Sequence, residues 1–206
     1  MKAPTSAWRR TAEGDIVVPL YPLSCGLRAI ISASDAPLVL PYKWWRLPDK
    51  QGRCYAVGRV PHGKYMVRVL MHRWLLEPQP KERVDHANGD GLDNRRENIR
   101  PCNASQNAAN MRKKAGSSRF KGVKRERTGR WIARVTAHYK QHHIGTHDDE
   151  AVAAAAYDIA ARHFHGAFAR TNFGALILEQ DETGAWVEHD PMARINAARD
   201  AMRARA

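Results

Sequence analysis

The sequence has few cysteines and lacks any long apolar run. Its three cysteines are Cys25, Cys54 and Cys102, and no two of them form a CxxC pair. This spacing argues against a thiolate zinc site, and the low cysteine content favours a reduced, intracellular setting. No stretch has the apolar length of a membrane span or a signal peptide. We therefore expect a cytoplasmic protein with no membrane partner.

Acidic residues are also scarce relative to basic ones. The chain has 34 Lys and Arg against 21 Asp and Glu, giving a formal net charge of +13. Such a surplus predicts a polyanionic partner. It is concentrated in residues 112–134, which hold ten Lys or Arg and the single acid Glu126. A basic block in mid-chain indicates a binding face, with a solvated linker as the alternative.

Short apolar runs, broken by Pro and Gly, predict a β-rich segment over residues 16–70. The clearest feature is a hairpin formed by residues 54–60 and 64–70. Trp44 and Trp45 are expected in its core. A brief helix should follow over residues 71–77, where two prolines end it.

A polar loop then separates two short extended pieces. The stretch ANGDGLDN, residues 87–94, is dense in turn formers and should link strands at 83–86 and 98–101. A helix begins next, because Asn103 can act as its N-cap and Gln106 can complete a capping box. The predicted order is strand, long loop, strand and helix.

A second set of elements is predicted after the polar stretch RKKAGSS. Three strands and an alanine-rich helix are expected over residues 119–125, 130–138, 141–145 and 149–165. The middle strand alternates an apolar face with a polar, basic one. Val152, Ala156 and Ile159 form the helical stripe expected to cover the apolar face. The last residues, 175–206, are expected to end in a helical piece.

Residues 85–107 contain the side chains that phosphodiester cleavage requires. A water must be activated by a base, and a cation must neutralise charge on the phosphate and the leaving oxygen. His86 is the candidate base at neutral pH. Asp85 and Asn107 offer the oxygen ligands that one Mg²⁺ or Mn²⁺ prefers. Asn103 and Asn110 share the helix face of Asn107 and remain its rivals.

The segment HRWLLEPQPKERVDHANGDGLDNRRENIRPCNASQNAAN, residues 72–110, resembles the HNH motif of phage and intron-encoded homing endonucleases. The pattern is carried jointly by DH, NGDGLDN, ENIR and SQN. The resemblance implies a strand-strand-helix metal fold in which His86 is the general base and Asp85 and Asn107 hold the metal. It further implies that Asn98 ties the long loop together, and that the cell is bacterial or phage-infected.

Two features of this segment leave alternatives open. Adjacent residues on a regular strand face opposite sides, so Asp85 and His86 can converge only at a strand end or a bulge. We assign His72 and Arg73, which precede the motif, to packing and phosphate contact. The candidate clamps for the cut phosphate, unless they are merely solvated, are Arg95, Arg96 and Arg100.

The segment SRFKGVKRERTGRWIARVTAHYKQHHIGTHDDEAVAAAAYDIAARHFHGAFARTNF, residues 118–173, resembles the Apetala-two or ethylene-response-factor (AP2/ERF) DNA-binding domain. That resemblance implies a three-stranded antiparallel sheet in the major groove, backed by one helix. The DNA-facing positions that it implies are Lys121, Lys124, Arg130, Arg134, Thr136, Gln141 and His143. Thr128, Gln141 and His143 depart from the tryptophans and arginines of the plant domains, so base preference is not transferred.

Together these patterns predict an α+β protein with a small ββα-metal (HNH, His-Me finger) nuclease unit. A β-rich segment precedes that unit, and a three-stranded antiparallel sheet packed on one helix follows it. The predicted divisions are 1–70, 71–112, 113–117 as linker, 118–174 and 175–206 as tail. We expect a monomeric, metal-dependent endonuclease that acts on double-stranded DNA and takes no small-molecule substrate. The alternative is a sequence-specific DNA-binding regulator whose nuclease unit is inactive.

Overall fold

A computed structural model describes residues 8–113 and 115–174, and the strands at 178–180 and 186–188. The described chain is a mixed α+β fold, mostly sheets with few helices, as predicted. It divides into two compact units after Asn107, inside a helix. The limits of the predicted domains stay a prediction.

The described part of the N-terminal unit, residues 8–107, forms three sheets. Its elements are β1 (Arg9–Arg10), β2 (Ile16–Pro19), β3 (Arg28–Ile31), α1 (Ala36–Val39), β4 (Trp44–Pro48), β5 (Cys54–His62), β6 (Tyr65–Leu70), α2 (Met71–Leu76), β7 (Arg83–His86), β8 (Asp93–Asn94), β9 (Ile99–Cys102) and α3 (Ala104–Asn110). The strands pair in the orders β1-β2-β3-β8, β4-β5-β6 and β7-β9. The short strand β8 pairs in parallel with β3, a long-range contact that draws the polar loop onto the first sheet.

The predicted hairpin is confirmed as β5 and β6, which are in register from Val57 opposite Leu70 to His62 opposite Tyr65. The expectation for the two tryptophans is half right. Trp44 is 1% exposed and donates its indole N–H to the carbonyl of Val39. Trp45 is 40% exposed, because strand alternation turns it to the other face of β4.

The order strand, loop, strand and helix is also observed, with β7 and β9 antiparallel and α3 following directly. The capping box is confirmed at its start. The backbone N–H of Asn103 donates to the side chain of Gln106, and the N–H of Gln106 donates to the side chain of Asn103. These reciprocal bonds satisfy donors that the first turn would otherwise leave unpaired.

The C-terminal unit contains a three-stranded antiparallel sheet and one long helix. Its elements are β10 (Val123–Arg125), β11 (Trp131–Ala137), β12 (Lys140–His147), α4 (Glu150–His165), β13 (Leu178–Gln180) and β14 (Trp186–Glu188). The first strand begins four residues later than predicted, because Gly122 has a φ of +75° and breaks the extended run. The helix begins as predicted, where Asp149 accepts bonds from the N–H groups of Ala151 and Val152.

The predicted apolar stripe of α4 is only partly right, because Ala156 packs against the core but Ile159 does not. Ile159 is 49% exposed, and Val152 and Ala156 are only partly buried. The buried side chains in the core are Ala151, Ala153, Ala154, Tyr157 and Ala161. Ala154, Tyr157 and Ala161 have the spacing of one helix face, and Ile159 lies two residues from Tyr157, on the opposite side of the helix.

The predicted helical end of the tail lies outside the described residues. Of residues 175–206, the structure describes only the strands β13 and β14. Within the part of the chain that the structure describes, no helix is long and apolar enough to cross a membrane.

Candidate functional site

His86 is the last residue of β7 and is paired with Ile99 of β9, while Asp85 is paired with Arg100. The register between these strands is unbroken, so β7 contains no bulge. Of the two routes by which adjacent residues could converge, only the strand end is available. Both Asp85 and His86 are 6% exposed, although consecutive strand residues normally face opposite environments. Both faces of β7 are therefore covered at this point.

The ring of His86 is oriented by a buried asparagine on β8. The Nε2 atom of His86 lies 3.3 Å from Oδ1 of Asn94, whose own amide group donates to the carbonyl of Leu92. Because Oδ1 can only accept, Nε2 carries the proton in this arrangement and Nδ1 bears the lone pair. Burial lowers the pKa of His86, so the imidazole is neutral at pH 7 and can accept a proton.

A second buried histidine packs against His86. The rings of His72 and His86 meet edge to face with centroids 4.8 Å apart, and Tyr55 lies 5.9 and 6.0 Å from the two rings. Burial, together with the nearby His86, lowers the pKa of His72 to about 3. The Nδ1 atom of His72 has no hydrogen-bond partner among the residues described. Buried polar atoms are rarely left unpaired, so this neutral ring carries a local cost.

The sequence places His72 beside the motif but gives no sign that it contacts His86. The two histidines are 14 residues apart, and only the packing of α2 on β7 and β9 brings them together. Tyr55 belongs to the preceding hairpin, for which no role was predicted. The one local signal was the pair His72 and Arg73 on an otherwise apolar helix.

Asp85 is paired with a cation rather than exposed to solvent. Arg100 donates to Oδ2 of Asp85 from Nη2 at 2.9 Å and from Nε at 3.1 Å. The Asp85 side chain is 8% exposed, so this is a largely buried ion pair. An arginine considered as a phosphate clamp therefore already holds the carboxylate considered as a metal ligand.

The other two candidate clamps also have acidic partners. Arg95 pairs with Asp93 at 2.8 Å and with Asp15 at 3.4 Å. Arg96 pairs with the buried carboxylate of Asp35 at 2.7 Å. Asp15 and Asp35 lie far away in sequence, so no local pattern could reveal these pairs. Both arginines tie the loop to residues that flank strands of the first sheet. These ion pairs account for the two arginines without a bound phosphate.

Asn98 makes the contacts expected of a loop tie. Its amide group donates to the carbonyl of Asp93 at 2.6 Å, and its Oδ1 accepts from the backbone N–H of Asn88 at 2.9 Å. Its own carbonyl accepts from the N–H of Ala87 at 2.8 Å. These bonds close the loop between β7 and β9 and set the position of Asn94 against His86.

The donor set available for a metal consists of oxygen atoms. Asp85 offers a carboxylate, and the half-buried Asn107 lies one turn into α3, with its backbone N–H bonded to the carbonyl of Asn103. Asn103 uses its side chain for the capping box, which removes one rival of Asn107. Among the described residues, no group of three His, Cys, Asp or Glu side chains is arranged to hold a metal ion. Two oxygen donors fit Mg²⁺ or Mn²⁺, which keep several waters, better than zinc.

The C-terminal sheet gathers most of the predicted DNA-facing residues on one face. Lys124 is in register with Ile132 and Thr146, Arg134 with His143, and Thr136 with Gln141. A register shift after Ala133 places His143, rather than Ile144, opposite Arg134. Because paired residues point to the same side, five of the predicted side chains share this face: Lys124, Arg134, Thr136, Gln141 and His143.

The other two predicted DNA-facing residues, Arg130 and Lys121, bond to groups within the C-terminal unit. Arg130 precedes β11 and pairs with Asp148 at 2.9 Å while also donating to the carbonyl of Thr146. Lys121 is partly buried, and its ammonium group donates to the carbonyl of Ala109. Burial lowers the pKa of Lys121 to about 8. The structure thus uses Lys121 within the unit instead of presenting it on the sheet face.

Comparison with known proteins gives relatives for both parts of the chain. No family model matches it. An AP2/ERF and B3 domain-containing transcription repressor of Arabidopsis thaliana is 36% identical over 83 residues, which cover 40% of this chain and 23% of the relative. An AP2/ERF and B3 domain-containing protein of Oryza sativa subsp. japonica is 46% identical over 73 residues, covering 35% and 20%. An uncharacterized HNH endonuclease of Acanthamoeba polyphaga mimivirus is 27% identical over 148 residues, covering 71% and 75%.

These matches differ in what they cover. The chain spans only about a fifth of the length of the plant relatives, but about three quarters of the viral one. Both resemblances seen in the sequence therefore have relatives of the corresponding name, the AP2/ERF proteins and the HNH endonuclease.

Proposed function

We propose that this protein is a metal-dependent DNA endonuclease of the HNH type. The observation that carries the proposal is the buried, neutral His86, whose Nε2 is bonded to Asn94 so that Nδ1 bears the lone pair. A neutral imidazole held in one tautomer can accept the proton of a water, which is what water activation requires. The viral relative named an HNH endonuclease, which matches over most of the chain, supports the same function.

His86 accepts the proton of the attacking water, and the bond to Asn94 keeps the ring aligned as it becomes charged. Asp85 and Asn107 would hold one Mg²⁺ or Mn²⁺. When bound, that cation would neutralise charge on the phosphate and the leaving oxygen. His72 and Tyr55 pack against the ring of His86, which keeps its surroundings of low polarity.

The C-terminal sheet would hold the DNA. Its face carries Lys124 and Arg134 beside the polar Thr136, Gln141 and His143, and the basic block of residues 112–134 includes β10 and the first part of β11. Cationic side chains on one face bind phosphates, and the neutral polar ones can contact base edges. The relatives named AP2/ERF domain proteins support this assignment.

A second candidate function is a DNA-binding regulator that does not cut. Two observations favour it: one plant relative is named a transcription repressor, and Arg100 already pairs with Asp85. Both proposals predict binding to duplex DNA, and only the first predicts cleavage.

Incubation of supercoiled plasmid with the full-length protein separates the two. With Mg²⁺ or Mn²⁺ we expect conversion to nicked or linear DNA, and with EDTA we expect none. Asp85→Asn should lose cleavage while its duplex affinity in EDTA stays at the wild-type value. Binding without cleavage in either metal would favour the regulator and exclude the nuclease.

A further inference from the structure

Two arginines face each other on the sheet formed by β4, β5 and β6. Arg59 on β5 is in register with Arg68 on β6, and both side chains are exposed. Among the residues described, neither one forms an ion pair. Like charges placed directly opposite each other destabilise a sheet. This pair is therefore an unfavourable feature of the sheet.

The pair lies on the same sheet face as a residue of the candidate active site. Tyr55, Val57 and Arg59 alternate along β5 and so point to the same side. The ring of Tyr55 packs on His72 and His86 at one end of this face. Arg59 lies four positions after Tyr55 on β5, which is about 13 Å at roughly 3.3 Å per residue.

An apolar row separates the active-site end of this face from the arginines. Val57 is in register with Trp45 on one side and Leu70 on the other. The face thus runs from a buried polar site, across apolar side chains, to two exposed cations. A surface of this kind fits a polyanion that extends outward from the site.

We propose that Arg59 and Arg68 bind backbone phosphates of the DNA duplex beside the bond that is cut. This inference rests on the proposed nuclease function, because it places the duplex at His86. Guanidinium groups bind phosphate through paired hydrogen bonds, and a phosphate bound by each arginine would offset their repulsion. A duplex presents a phosphate on each strand about every 3.4 Å of its axis, so about 13 Å lies well within one bound duplex.

The test compares two double variants of equal charge in the full-length protein. Arg59→Gln with Arg68→Gln removes the pair. The control, Arg28→Gln with Arg46→Gln, removes two other exposed arginines. Arg28 lies on β3, in a different sheet, and Arg46 lies on β4, on the face opposite to Arg59 and Arg68. The affinity for a random-sequence 30-base-pair duplex is measured in EDTA over a range of NaCl concentrations.

We expect the first variant to bind at least about tenfold more weakly at 0.1 M NaCl. Its salt dependence should flatten by about 1.8, or about 0.9 for each phosphate that the protein no longer neutralises. The second variant should be weakened much less. Equal weakening of the two variants would overturn the proposal, because it would reflect only the net charge.

A third variant separates binding from folding. Arg59→Glu places a carboxylate opposite Arg68, so the melting temperature should rise while DNA affinity falls. A fall in both would overturn the proposal by showing that Arg59 is structural. Plasmid nicking in Mg²⁺ is measured in parallel. If the wild-type protein does not nick but the two double variants still differ in salt dependence, the nuclease proposal fails and the phosphate contact stands.

Discussion

Arg100 holds Asp85 across the β7-β9 pair, with two hydrogen bonds to a single carboxylate oxygen at 2.9 and 3.1 Å. A metal ion bound by Asp85 must share this carboxylate with the guanidinium or displace it. In the proposed site the arginine would therefore set how strongly a cation binds, and it stabilises the carboxylate where no metal is bound. Removing it should separate these two effects.

Arg100→Gln should lower the free energy of unfolding by about 3 kcal/mol, because it leaves a buried carboxylate without its partner. Mn²⁺ should then raise the melting temperature more in this variant than in the wild type, since the cation replaces the missing charge. Calorimetry with and without Mn²⁺ measures both effects. Arg83→Gln, an exposed arginine on the neighbouring strand, is the matched control and should change neither. Equal Mn²⁺ shifts in Arg100→Gln and wild type would argue against Asp85 as a ligand.

His72→Phe should make the protein more resistant to acid. The pKa of His72 is about 3 in the folded chain, whereas the pKa of a histidine in an unfolded chain is about 6.5. Between these values the unfolded chain binds a proton that the folded chain does not, so stability falls as pH drops from about 6.5 to 3. Phenylalanine keeps the ring and removes this titration.

Urea unfolding between pH 4 and 7.5 checks that prediction. At pH 7.5 the variant should match the wild type or gain about 1 kcal/mol, because the unpaired Nδ1 is gone. The difference between the two proteins should widen as pH falls. His62→Gln changes an exposed histidine and should leave the profile unaltered. A constant difference at every pH would show that His72 is not buried as a neutral ring.

Gly122→Ala should disrupt the C-terminal unit. A Cβ atom there would lie 1.9 Å from the ring of Tyr157, and the φ of +75° disfavours any side chain. We expect a loss of about 3 kcal/mol from the collision and the strained backbone together. Gly129→Ala is the control, because its φ is +88° but the nearest atom is 4.0 Å away; it should cost about 1 kcal/mol. Hydrogen exchange of α4 peptides measures both, and equal protection in the two variants would contradict the packing of Tyr157 on this turn.

The sequence predicted the features that depend on local pattern. The capping box of Asn103 and Gln106, the N-cap at Asp149 and the hairpin of β5 and β6 are each determined by residues close together in the chain. Alternation likewise predicted the polar face of β11. In each case the backbone preference and the side-chain pattern of a few neighbouring residues favour the same local structure. Contacts with distant residues therefore do not change it.

The features that were missed depend on distant residues. The sequence leaves Arg96 as a candidate phosphate clamp, because its partner Asp35 lies 61 positions away and no local pattern shows the ion pair. His72 approaches His86 only through the packing of α2. Ile159 is exposed because the buried face of α4 is formed by Ala154, Tyr157 and Ala161. Periodicity identifies an apolar stripe, but close packing decides which stripe is buried.

The most direct test of the central claim is chemical rescue of His86→Ala. The substitution removes the proposed base but leaves Asp85, Asn107 and the DNA-binding sheet in place. Plasmid nicking is followed in Mn²⁺ with increasing imidazole, and binding to duplex DNA is measured alongside. We predict that His86→Ala binds DNA like the wild type, nicks at least about a hundredfold more slowly, and regains part of the activity with imidazole. Nicking by His86→Ala at the wild-type rate without imidazole would contradict the account.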